Sequence, residues 1–192
     1  ALGVLVLMEE DNPDLHQDPG FRALRGVVQF SLRRFDAAAE DLSVKALAME
    51  ADASLWRALV FDAQNNFAEV MQSYRLGMPA LGHYSANDRA RFGLAAARAA
   101  IALGEYGTAE REVTKLKGVT LSPMRASEAS FIEAELARIY QDMPTALDIY
   151  DNLANAAPRP IAARARLASI KTRYEEGVLK TAKAIQDLEG LR

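Results

Sequence analysis

Cysteine is absent from this 192-residue chain. That removes any disulfide framework, thiolate metal site or cysteine nucleophile, and it excludes neither a reducing nor an oxidising compartment. Histidine occurs only at His16 and His83, and neither has a second histidine three or four residues away to complete a zinc-binding face. Aromatic residues make up 7% of the chain and tryptophan occurs once, as Trp56. No long apolar run is present. The opening ALGVLVLM is followed at once by EEDNPD, whereas a membrane-spanning helix needs roughly 20 apolar residues, so direct membrane insertion is not expected. A basic stripe is missing as well. Net charge is −3, with 7 Lys/Arg against 13 Asp/Glu in residues 1–88 and 16 against 13 in residues 89–192. So mild a tilt argues against a nucleic-acid binder, though it biases the approach of a protein partner.

Catalytic patterns are also lacking. Neither GxSxG nor HExxH occurs. The glycines of Gly77-Met-Pro-Ala-Leu-Gly82 have the spacing of a phosphate-binding loop, but His83 and Tyr84 stand where lysine and a hydroxyl residue are needed. Glu133 with Glu135, and Glu175 with Glu176, are adjacent or nearly so, and helical residues one or two apart point away from each other. Acid–base chemistry needs carboxylates that converge. We therefore expect no catalytic residues, no cofactor and no metal: the chain is not expected to be an enzyme.

What is present is alanine, helical periodicity and a repeat. Half the residues are hydrophobic, a composition that with so few aromatics suits closely packed helices. Five turn segments carry a bulky residue followed three places later by a small or β-branched one: Phe35/Ala38, Phe67/Val70, Tyr106/Ala109, Met143/Ala146 and Leu179/Ala182. Nine residues before the first four anchors stand Gly26, Ala58, Ala97 and Ala134; seven residues after them stand Leu42, Tyr74, Val113 and Tyr150. A small residue facing a large one is what interdigitated helices require. Prolines at Asp18-Pro19, Ser122-Pro123 and Arg159-Pro160 mark helix starts, and Asp52 and Ser85 are the expected caps of two others. The insertion LGMPALGHYSAND reads as an extended connection.

In AAARAAIALGEYGTAEREVTKL the frame Gly104, Tyr106, Ala109, Leu116, and in AELARIYQDMPTALDIYDNLANAAP the frame Ala134, Met143, Ala146, Tyr150, Leu153, Pro158, resemble the tetratricopeptide repeat family. The resemblance covers residues 18–192. Lys45, Gly77, Ile170 and Gln186 depart from the family's pattern, as does the missing early tryptophan. It implies an all-α fold, a right-handed superhelical solenoid of about five helical hairpins over units 18–51, 52–84, 85–121, 122–158 and 159–192, forming one repeat domain. Residues 1–17 are expected to be the remnant of a preceding helix plus linker, in a piece of a longer and, by its alanine- and arginine-rich style, bacterial protein.

The resemblance also implies a use: a scaffold that holds a peptide or helix of another protein in a concave groove lined by the first helix of each pair. Projecting those helices gives Arg91, Leu94, Arg98 and Ala102 in the third unit and Glu128, Phe131, Glu135 and Arg138 in the fourth, with Arg164 and Arg166 from the fifth extending a basic track. Arginine suits carboxylate recognition through its planar fork. The alternative for these arginines is a solvated surface, and for Trp56 a choice between core packing and an exposed anchor. Two other functions stand beside the scaffold: a regulatory or substrate-docking domain of a larger enzyme, and a self-association module, a homodimer for example. Cytoplasmic and periplasmic locations both stay open.

Overall fold

The computed structural model describes residues 1–189; the last three residues of the expected fifth unit lie outside the described residues. The regular elements of the described residues are all helices, without a strand among them. The α-helices are α1 (Leu2–Asp11), α2 (Pro19–Ser31), α3 (Phe35–Leu42), α4 (Ala51–Ala63), α5 (Phe67–Gly77), α6 (Ala86–Ala102), α7 (Tyr106–Thr114), α8 (Pro123–Ile139), α9 (Met143–Ala156), α10 (Arg159–Glu175) and α11 (Thr181–Glu189). Among the described residues, no helix is long and apolar enough to cross a membrane.

Helix starts follow local chemistry. Asp18 accepts the Phe21 N–H at 2.7 Å, and Pro19 opens α2 where its missing donor costs nothing. Ser85 accepts the Asp88 N–H at 3.2 Å and its hydroxyl donates to the Asp88 carboxylate at 2.6 Å, closing a reciprocal cap on α6. Asp52 is not a cap: Glu50 holds that position and Asp52 lies in the first turn of α4. The connection after α5 is not extended either. Residues Met78–His83 form a 3-10 helix that opens with Pro79 near its start, packs on α4 and α5, and buries Ala80.

The anchors mark the hairpins. Phe35, Phe67, Tyr106 and Met143 are each the first residue of a helix, whereas the fifth such helix, α11, begins at Thr181, two residues after Leu179. Ahead of each comes the same stop. Arg33, Asn65, Gly104, Gln141 and Gly177 all have left-handed φ, between 57° and 77°. The N–H that follows each one bonds the carbonyl five residues back: Arg34 to Gln29, Asn66 to Phe61, Glu105 to Ala100, Asp142 to Ala137, Val178 to Arg173. This is the Schellman turn, which satisfies carbonyls that a helix end leaves open.

The helices form two compact units, Ala1–Glu105 and Tyr106–Arg192, with the boundary inside the expected third repeat. In the first unit α2 pairs with α3 and α4 with α5, while α4 also packs on α2, α3 and α6. Gly26 is there because of Leu42: a Cβ on Gly26 would sit 2.7 Å from Leu42 Cγ. Gly77 does the same against Leu55, at 2.6 Å, which is a packing role and not a phosphate loop. In the second unit α8 pairs with α9, α10 packs on α8, α9 and α11, and α7 lies on α8. Its core gathers Phe131, Ala134, Ala146, Tyr150, Leu153, Ile161 and Ala165. Burying each of the large side chains contributes about 1.5–3 kcal/mol.

Candidate protein-binding surfaces

In the first unit, successive first helices bring a ladder of rings together. Phe30 of α2 lies 6.0 Å from Trp56 of α4, Trp56 lies 5.8 Å from Phe92 of α6, and Phe92 lies 5.0 Å from Tyr84. Trp56 is half-buried. Its indole N–H donates to the Tyr84 hydroxyl at 3.2 Å, and that hydroxyl donates to Asp52 at 3.0 Å, so the polar edge of the ladder is tied down. Burial, then the Asp52 carboxylate, pushes the Tyr84 phenol above its ordinary value. Over this ladder lies Arg91, its guanidinium carbon 4.8 Å from the Phe30 ring centre and 5.6 Å from that of Trp56. A cation in this position is held by the ring quadrupole.

The other expected residues of α6 sit differently. Leu94 is 1% exposed and belongs to the core; it offers no surface. Arg98 makes a two-point ion pair with Asp62 of α4, Nε to Oδ1 at 3.2 Å and Nη2 to Oδ2 at 2.5 Å. Its carboxylate-binding fork is already engaged by this chain's own acid. Ala102 is exposed at the end of the helix.

The second unit repeats the ring-and-cation theme. Phe131 is buried on α8, 5.6 Å from the Tyr150 ring of α9, and Arg164 of α10 lies 4.4 Å from the Phe131 ring centre. Glu135 accepts from the Tyr150 hydroxyl and from Arg138 at 3.0 Å. Burial first, then the Glu135 bond, raises the Tyr150 phenol well above its usual range. Glu128 pairs with Arg125 at 2.5 Å. Arg166 points elsewhere: its Nε donates to the Ala154 carbonyl at 3.2 Å, beside a polar cleft of about 400 Å³ lined by Asp151, Ser169 and Lys183.

The structure thus brings Phe131, Glu135, Arg138 and Arg164 together, and joins Arg91 to Phe30 and Trp56. It separates Leu94, Arg98 and Arg166 from those groups. Sequence projection missed Phe30, Tyr84 and Asp52; the one available signal was that Phe30 and Trp56 fall on consecutive first helices. Among the described residues no cluster of three or more metal-ligating side chains occurs. No family model matches the chain, and no curated protein or solved structure matches it.

Proposed function

We propose that the chain is a divergent tetratricopeptide-like solenoid that acts as a protein-interaction scaffold, holding a peptide or helix of a partner against the faces of its first helices. One observation supports this most. Arg91 and Arg164 are each the sixth residue of their helices, α6 and α10, and the guanidinium carbon of each lies within about 6 Å of the centre of an aromatic ring on the preceding first helix. The same device thus occurs in both units. A guanidinium over a ring sets a fixed positive charge on that face, and an acidic segment is drawn to it. Partner proteins with extended, acidic segments suit such a surface.

The test uses the chain as bait in extract of its source cell, beside Arg91→Glu/Arg164→Glu and a control that reverses a charge elsewhere, Lys117→Glu. Proteins retained by the wild type and the control are expected to be lost from the double variant, with thermal midpoints alike. Identical retention on all three baits would remove this surface from the proposal.

A further inference from the structure

We propose that the chain associates with copies of itself head to tail, the exposed apolar stripe of α1 in one copy lying in the apolar groove between α10 and α11 of the next. This does not rest on the partner-binding reading, because it uses neither Arg91 nor Arg164.

The stripe comes first. From Leu2 to Met8 every residue of α1 is apolar or glycine, yet only Leu5 is buried. Val4, Leu7 and Met8, spaced i, i+3 and i+4, are 61%, 61% and 45% exposed. Asp11 continues the same face one turn on, with Glu10 exposed beside it. Helices of this kind, with apolar anchors at such spacing, are what hydrophobic grooves receive.

The groove lies in the other unit. Leu167, Ile170 and Tyr174 of α10 face Thr181, Ala184 and Ile185 of α11 around a volume of about 360 Å³. Leu167, Tyr174 and Ile185 are each about half exposed. Lys171 stands on its rim in a 3.7 Å pair with Glu175, while Lys183, which lines the polar cleft beside Arg166, pairs with Asp187. Surface pairs of this kind contribute little and exchange readily. From Val4 to Asp11, and from Leu167 to Tyr174, the helical rise is the same, about 10 Å.

Charge decides the occupant. Exposed Glu10 and Asp11 end the α1 stripe, and Lys171 is the charged residue that lines the groove. An acid-ended stripe against a groove with a lysine on its rim is complementary; stripe against stripe sets acid on acid, which selects the head-to-tail contact over a symmetric pair. Such a contact is heterologous and leaves one of each face free at the ends of an open row, where a further copy can add. A single short helix in a groove buries well under about 1,200 Å², so the association is weak.

Sedimentation velocity on the 192-residue chain from roughly 10 μM to 1 mM, the range a small interface requires, reads the result. The wild type is expected to gain mass steadily with concentration, less so in high salt. Leu7→Glu and Ile185→Glu alone stay monomeric. Mixed in equal amounts they form a one-to-one dimer and nothing larger, since each supplies the face the other lacks and the altered faces repel. Circular dichroism checks folding, and Val4→Glu and Leu167→Glu replace either variant that fails it. A wild type that stays monomeric, a mass that levels at two copies, or a mixture without heterodimer overturns the proposal.

Discussion

Arg57 sits in the first unit, 7% exposed and with no acidic partner among the described residues, and donates to the carbonyls of Leu42, Leu47 and Ala48 and to Ser54 Oγ. Burial lowers its pKa, and the carbonyls it holds close α3 and the 3-10 turn after it. Replacing it with methionine keeps the volume and strands those acceptors. Arg57→Met is expected to lose about 2–3 kcal/mol in urea unfolding. Tyr150 gives a pH signature instead. Its folded pKa lies above the ordinary phenol value of 10.0, so the folded state holds a proton that the unfolded state gives up as pH rises past that value. Stability is therefore full below pH 10 and falls above it. Tyr150→Phe is expected to cost about 1 kcal/mol at neutral pH through the lost bond to Glu135. Its urea midpoint should then decline less than that of wild type between neutral and strongly alkaline solution; parallel declines would refute the assignment.

Helix ends carry the next scale of argument. Five Schellman turns recur, but only Gly104 and Gly177 meet the left-handed requirement with glycine; Arg33, Asn65 and Gln141 meet it at the cost of Cβ crowding. Gln141→Gly is expected to stabilise by about 0.5–1 kcal/mol, and Asn65→Gly by less, because asparagine tolerates this conformation. Gly104→Ala should destabilise by about 1 kcal/mol, all three measured by denaturant midpoint. Between helices the close approach matters more. Gly26→Ala drives a Cβ into Leu42 and is expected to cost about 1–3 kcal/mol, with Leu42→Ala in the same chain recovering part of it. No recovery would mean that the contact is not what limits the site.

For the whole molecule, the two compact units are packed alike within themselves: α2 lies against α3 and α4, α4 against α5 and α6, and α8 against α9 and α10. Large side chains from one helix fill the space left by alanine and glycine on another. A thermal-shift screen against nucleotides and divalent cations is expected to give no saturable rise in midpoint; one clear, saturable stabilisation would overturn the non-enzymatic reading.

Much of this was legible in the chain itself. Helical class, four of the five second-helix starts and the small–large pairs Gly26/Leu42 and Ala134/Tyr150 all depend on residues close in sequence, and periodicity and turn chemistry report those directly. The left-handed stops escaped because three of the five are not glycine. Folding decided the rest. A helical stripe does not reveal which of its flanks meets the core, so Leu94 was projected outward and is buried. Nor does it reveal partners: Arg98 is taken by Asp62, 36 residues away, and Arg91 rests on rings from two other helices. Local order is written in neighbouring residues; whether an arginine is offered to a ligand depends on side chains that only packing brings within reach.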